Sequence, residues 1–171
     1  NQYWLAIAQG DKELAAGNLP QAASQYQRAR SLDSGDSYAL IGLGDVALAQ
    51  KNPATAEEQY SRALRLDAGN TTAARRLAAL YQQQSPQKAM AFINGLPSAQ
   101  KKALGDTLAS LRSSALSAEA DRLAAAGNAR QAADRYRQAL QLAPDDVWLN
   151  ARLAGALRQS GQTQAADRQM Q

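Results

Sequence analysis

A group of small and aromatic residues occurs three times along this chain, and the first two occurrences are 34 residues apart. The group is an alanine, a tyrosine four residues later and an alanine three residues after that: Ala22, Tyr26 and Ala29; Ala56, Tyr60 and Ala63; and Ala132, Tyr136 and Ala139. A period of this length indicates one supersecondary unit stacked on the next. The frames begin at residues 3, 37, 71, 113 and 147. We therefore expect the core to form within and between neighbouring units.

Helix-terminating residues agree with this frame and divide each unit into two helices. Proline is tolerated in the first turn of a helix, and three prolines stand where a second helix begins: Pro20, Pro53 and Pro86. Glycine accepts the positive φ that often follows a helix, and three glycines stand after a first helix: Gly17, Gly127 and Gly161. Side chains able to cap the next unit's first helix are Asp36, Asn70 and Asp146.

These features resemble the tetratricopeptide repeat, a helix–turn–helix unit of 34 residues. Residues 37–70 match its pattern best, with Leu40, Gly44, Ala56 and Ala63 at the positions that the family fills with apolar or small residues. The resemblance implies an all-α solenoid of antiparallel helix pairs in a right-handed superhelix. The register of the first helix in 3–36 stays open, because polar residues stand where apolar ones are expected.

The period is interrupted once, between the frames at 71 and 113. Gly95 and Pro97 close the degenerate third repeat, and after Ser98 a helical pattern runs to Arg112. The sequence thus predicts a first block over 1–97, with repeats 3–36, 37–70 and 71–97. An unpaired helix over 98–112 follows, and then a second block over 113–171, with repeats 113–146 and 147–171.

Two interpretations of the inserted segment remain open. It is either a packed insertion or a hinge that redirects the solenoid, because stacking on the nearest neighbour sets the direction of such a structure. Residues 71–112 carry six basic side chains and one acidic side chain, so this part of the chain has a net charge of +5. The candidate hinge residues are Gly95, Pro97, Ser98 and Arg112.

Composition argues against an enzyme. The chain has no Cys and no His, which excludes thiol nucleophiles, imidazole acid–base chemistry and zinc sites of the usual kind. Asp11, Asp45 and Asp121 occupy the same repeat position, and we interpret them as solvated or structural carboxylates. No phosphate-binding loop occurs, no cofactor is expected, and the dense basic stripe of a nucleic-acid binder is missing. Nor does any apolar run reach the length of a transmembrane helix.

In the family that the repeat resembles, first helices line a concave binding surface, chiefly through repeat positions 2, 5, 9, 12 and 13. The residues at such positions that we select as groove candidates are Tyr38, Ile41, Asp45, Leu48, Arg75, Gln82, Trp148 and Arg158. Three of the five units have an aromatic residue at position 2. Such a ring can stack on a sugar or hold an apolar peptide side chain, and packing against a neighbouring unit is the open alternative.

The segment "NARQAADRYRQALQLAPDDVWLNARLAGALRQSGQ" and the irregular middle resemble the repeat region of the cellulose synthase operon protein C family of bacteria. This resemblance implies a non-catalytic periplasmic scaffold for cellulose synthesis and export, within a longer protein anchored in the outer membrane. It implies cellulose synthase components or other envelope proteins as partners, and leaves glucan and peptidoglycan open as ligands. A general peptide-binding adaptor, unrelated to polysaccharide export, is the alternative function.

Overall fold

The computed structural model describes residues 1–170, apart from the side chains of residues 163, 164 and 167, and these residues form helices joined by short turns. The helices are α1 Gln2–Ala15, α2 Leu19–Leu32, α3 Tyr38–Ala49, α4 Pro53–Leu66, α5 Thr71–Gln84, α6 Pro86–Asn94, α7 Ser98–Ala103, α8 Gly105–Ala125, α9 Ala129–Leu142, α10 Val147–Gln159 and α11 Thr163–Gln169. Neighbouring helices pack as pairs, α1 with α2, α3 with α4, and α8 with α9. The predicted all-α helical solenoid is confirmed.

The turns have the chemistry that the sequence predicts. Pro53 and Pro86 begin α4 and α6, and Pro20 is the second residue of α2. The three glycines after the first helices have φ between +79° and +82°. In the second repeat Lys51 takes this place with a φ of +58°. Asn70 and Asp146 form the expected caps, accepting hydrogen bonds from the N–H groups of Ala73 and Leu149. Asp36 lies one residue before the N-cap of α3, which is Ser37, and accepts from the N–H of Tyr38.

The chain divides into two compact units, and each has its own core. The first unit comprises Asn1–Gln84 and Phe92–Ala103, and the second comprises Ser85–Ala91 and Leu104–Gln171. In α2, α4 and α9, alanines and one tyrosine pack against the first helix of the same repeat. In α1 the buried Gly10 faces Tyr26, as Gly44 faces Tyr60 in α3. Helix α1 therefore keeps the repeat register that the sequence left open.

The segment 98–112 contains two helices where the sequence predicts one. Helix α7 ends at Ala103, and α8 runs without interruption from Gly105 to Ala125. The break between the two helices lies next to Gly105, and glycine has a low helix propensity. Residues 106–120 contain neither Gly nor Pro, so nothing in the sequence ends α8 at residue 112. Ser113, the expected start of a repeat, is consequently buried inside α8, and its hydroxyl donates to the Ala139 carbonyl at 3.2 Å. The division into blocks stays a prediction, and so does the hinge.

Helix α7 is attached to the first unit by a buried glutamine. The side chain of Gln100 donates from Nε2 to the carbonyl oxygen of Ala68, 2.9 Å away in the turn between α4 and α5. Gln100 is almost fully buried, which is uncommon for its residue type. A backbone carbonyl that would otherwise lack a helix partner thus receives a donor.

No helix in the described part of the chain has the length and apolar character required to cross a membrane.

Candidate functional site

A tyrosine–aspartate hydrogen bond joins the two helices of three repeats. In each case the donor is a tyrosine hydroxyl at position 24 and the acceptor is an aspartate at position 9, fifteen residues earlier. The pairs are Tyr26–Asp11 at 2.6 Å, Tyr60–Asp45 at 2.6 Å and Tyr136–Asp121 at 2.5 Å. Each of the three aspartates therefore helps to hold the two helices of its own repeat together.

Burial and the nearby carboxylate act on the tyrosines in the same direction. Burial raises the pKa of Tyr26 and Tyr60, and the hydrogen bond to the aspartate raises it further. The same two causes raise the pKa of Tyr136 to about 12. All three tyrosines therefore remain protonated donors at neutral pH, and each supplies its aspartate with a permanent partner.

An arginine from the next repeat completes two of these pairs. The Nε and Nη2 atoms of Arg76 donate to the two carboxylate oxygens of Asp45 at 2.9 and 3.2 Å. Arg152 donates from Nη1 to Asp121 at 3.0 Å. Both arginines stand at position 6 of the following repeat, 31 residues after the aspartate. A guanidinium matches a carboxylate geometrically, so these contacts link successive repeats.

The first repeat lacks this arginine. Position 6 of the next repeat is Gly42, and a Cβ atom at Gly42 would overlap the ring of Tyr26. The ring thus occupies the space that the arginine stem uses in the other repeats. Asp11 accepts the Tyr26 hydrogen bond but forms no ion pair within the described residues. Its side chain is exposed on the surface of α1.

Aromatic residues at position 2 lie on the surface of the repeats. Trp4 is 49% exposed, Tyr38 is 54% exposed and Trp148 is 78% exposed. Tyr38 and Trp148 keep this exposure although a preceding helix pair is present before each of them. In the first unit the rings of Trp4 and Tyr38 meet edge to face, with centroids 5.5 Å apart. Position 2 therefore presents aromatic rings to solvent in both units, and two of them touch.

The other groove candidates fall into three groups. Ile41 is a core residue with 6% exposure, packed in the cluster that contains Leu40 and Leu77, so the structure corrects its placement on the groove surface. The reason is geometric: a helix that packs against neighbours on two sides buries more than one stripe. Leu48 is partly buried against the same cluster, and Asp45 is held by Tyr60 and Arg76. The exposed candidates besides the aromatic ones are Arg75, Gln82 and Arg158.

The candidate hinge residues lie on both sides of α7. Gly95 and Pro97 are exposed in the turn after α6, where the N–H of Gly95 donates to the Phe92 carbonyl at 3.2 Å. Ser98 begins α7, and helical hydrogen bonding already starts at the carbonyl of Pro97. Arg112 lies within α8 and lines an open concavity of about 330 Å³ in the second unit, together with Met90, Leu116 and Leu142.

The arginine links between repeats are the feature that sequence reasoning missed. Single positions gave no sign of them, because Arg76 and Arg152 look like ordinary surface charges. The signal was a spacing: an aspartate, a tyrosine 15 residues later and an arginine 31 residues later occur together in two repeats. Counting this triplet across frames would have found both links and also the missing arginine at Gly42.

Comparison with known families assigns the fold. Models of the tetratricopeptide repeat match residues 7–71 and 123–171, which correspond to the helix pairs of the two units. This chain is a tetratricopeptide-repeat protein. Over 170 residues it is 54% identical to cellulose synthase operon protein C of Salmonella typhimurium, a match that spans 99% of this chain and 14% of the relative. The protein of the same name from Escherichia coli K12 is 52% identical over 167 residues, again 14% of its length.

Solved structures of other tetratricopeptide-repeat chains share the fold at low sequence identity. The MamA protein superimposes with a TM-score of 0.55 at 17% identity, over 98% of this chain and 87% of that one. Pseudomonas aeruginosa pilF gives a TM-score of 0.55 at 19% identity, over 98% of this chain and 73% of that one. At such identities the likeness concerns the helix arrangement alone.

Proposed function

We propose that this tetratricopeptide-repeat chain is a non-catalytic scaffold that binds protein components of a bacterial envelope complex for cellulose synthesis and export. The observation that carries the proposal is the identity of 54% and 52% to cellulose synthase operon protein C over nearly the whole chain. Because the chain spans 14% of the length of these relatives, the activity of the whole protein is part of the proposal. So are a periplasmic location and an outer-membrane anchor.

The surface chemistry supports a binding role. Exposed aromatic rings at position 2 offer large apolar contact area at a low cost in side-chain entropy, which is why such residues often dominate the affinity of interfaces. Internal hydrogen bonds occupy the carboxylates of Asp45 and Asp121, so catalysis by these groups has no support. Stacked helical repeats with exposed aromatic residues suit the binding of extended partners.

The test is capture of identified partners. The 171-residue chain is immobilised and exposed to detergent extracts of a cellulose-producing bacterium and of the same strain with its cellulose operon deleted. Mass spectrometry should identify cellulose synthase components in the first extract, with a chain carrying Tyr38→Ala and Trp148→Ala as the control for surface binding. Capture of the same proteins from both strains would support the alternative of a general peptide-binding adaptor. Failure to capture any synthase component would contradict the scaffold proposal.

A further inference from the structure

Repeats within this chain show which chemical group binds the aspartate at position 9. In two repeats that group is the guanidinium of an arginine in the next repeat. Arg76 donates hydrogen bonds to Asp45, and Arg152 donates one to Asp121. In the first repeat Gly42 replaces the arginine, while Tyr26 still donates to Asp11 on one side. Asp11 thus keeps the hydrogen bond from the tyrosine but has no arginine partner among the described residues.

The electrostatics of the tyrosines reflect the same difference. Arg76 and Arg152 lower the pKa of Tyr60 and Tyr136, against the larger effects that raise it. No cation contributes in this way to the pKa of Tyr26, which burial and the carboxylates of Asp11 and Asp45 raise. Residues 1–70 also carry six basic and eight acidic side chains, a net charge of −2. The surface around Asp11 is therefore suited to a positively charged group.

The exposed aromatic pair lies on the same face of α1 as Asp11. Trp4 and Asp11 are seven residues apart, which places them about two turns and about 10 Å from each other along one helix face. Tyr38 contacts Trp4 from α3. A planar guanidinium pairs with carboxylates and also stacks on aromatic rings, whereas an ammonium has no planar face for stacking. Because about 10 Å separates the carboxylate from the rings, the guanidinium of an arginine contacts Asp11, while the backbone of that arginine and its neighbours reach the rings.

We propose that Trp4, Tyr38 and Asp11 form a docking surface for an arginine-bearing segment of a protein partner. Its guanidinium pairs with the Asp11 carboxylate as that of Arg76 pairs with Asp45, but it arrives from solvent, because the Tyr26 ring fills the space where a side chain at position 42 would begin. The backbone amides of the arginine and the side chains that flank it contact the aromatic pair. This proposal rests on the proposed scaffold function and deepens it, because it states the chemistry of the partner. The rest of the chain supplies two matched controls. Trp148 is exposed but has Gly155 at position 9, and Asp121 is already paired with Arg152.

The test uses small probes and the whole 171-residue chain. Isotope-labelled protein is titrated with N-acetyl-arginine amide, and with N-acetyl-citrulline amide, which has the same shape without the charge. The chain has two tryptophans, so the two indole N–H signals in the NMR spectrum report on Trp4 and Trp148. We expect arginine amide to shift the Trp4 signal and leave Trp148 unchanged, and citrulline amide to shift neither.

Variants connect the response to the carboxylate. Asp11→Asn keeps an oxygen that accepts from Tyr26 but removes the charge, so the melting temperature should stay close to that of the parent while arginine amide binds about tenfold more weakly. Asp121→Asn should leave the response of Trp4 unchanged. Equal shifts at both tryptophans, equal binding of citrulline amide, or an unchanged affinity in Asp11→Asn would overturn the proposal. So would a shift of Trp4 by cellohexaose in place of arginine amide, since it would identify a sugar platform.

The capture experiment separates this proposal from the scaffold function. If Asp11→Asn still captures cellulose synthase components at the parent level, the docking chemistry is wrong and the scaffold function stands. If the parent chain captures none of them while arginine amide still binds at Asp11, the scaffold function fails and the docking surface stands.

Discussion

The hydroxyl of Tyr60 donates a 2.6 Å hydrogen bond to Oδ1 of Asp45, and the same carboxylate accepts both donors of Arg76 from the next repeat. One aspartate thus joins the two helices of a repeat and also joins that repeat to its successor. The arrangement is repeated at Asp121 with Tyr136 and Arg152. Stability of the stack should therefore depend on these small networks in addition to its alanine-rich packing.

Removing parts of this network should destabilise the chain in a definite order. Tyr60→Phe removes one hydrogen bond, and we expect a loss of about 1 kcal/mol in the free energy of unfolding. Asp45→Ala leaves the buried Tyr60 hydroxyl without its acceptor and Arg76 without its carboxylate, so we expect a loss of about 2 to 3 kcal/mol. Urea unfolding at neutral pH measures both changes. Tyr38→Phe, at an exposed ring, is the control and should change little. A larger loss in Tyr60→Phe than in Asp45→Ala would contradict this account.

High pH should unfold the chain through its buried tyrosines. Tyrosine in an unfolded chain loses its proton near pH 10. The pKa of Tyr26, Tyr60 and Tyr136 is raised in the folded state, so above that pH the unfolded state binds fewer protons than the folded state. Their contribution to stability is complete below about pH 10 and is lost as the pH rises towards their folded pKa values.

Thermal unfolding from about pH 8 to about pH 11 checks this expectation. The melting temperature should fall in the upper part of this range. Tyr136→Phe, which removes one of the titrating groups, should make the fall shallower, even though the variant starts from a lower stability at neutral pH. A melting temperature that does not change over the whole range would be inconsistent with the raised pKa values.

Gly42 should not tolerate a side chain. A Cβ atom there would overlap the Tyr26 ring, so Gly42→Ala should lower the free energy of unfolding by about 1 to 3 kcal/mol. Gly155, inside α10, is the matched control, because nothing lies within 4 Å of a Cβ atom at that position. Gly155→Ala should increase stability by about 0.5 to 1 kcal/mol through helix propensity. Equal effects of the two substitutions in urea unfolding would exclude the Tyr26 contact as the cause.

Lys51 stands at a turn position where three other repeats have glycine. Its φ of +58° is the conformation that glycine adopts at the equivalent positions Gly17, Gly127 and Gly161. Because positive φ is unfavourable for residues with a Cβ atom, Lys51→Gly should raise the free energy of unfolding by about 0.5 to 1 kcal/mol. Lys51→Ala keeps the Cβ atom and should bring no such gain. If both variants are equally stable in urea, the backbone conformation is not the cause.

Sequence reasoning succeeded where the repeat imposes local chemistry. The helix pairs follow from the 34-residue spacing of alanines and tyrosines, and prolines and glycines at element ends specify the turns. The prediction that Ile41 lies on the groove surface is wrong, because the pattern of one helix does not show how many neighbouring helices pack against it. The repeat frame also predicts the start of a helix at residue 113, where α8 continues without interruption. Helix length depends on the absence of a breaking residue, which a repeat frame does not consider.

The fold class and most of the turns follow from the order of residues along the chain, because backbone preferences act within a few residues of each position. The contacts of the recurring aspartates, in contrast, are visible only in the packed helices. Asp45, Asp121 and Asp11 have the same repeat position, yet the first two are paired with an arginine 31 residues away and the third is exposed without one. Such pairing depends on the approach of two helices from different repeats, and therefore on the packed distance between them.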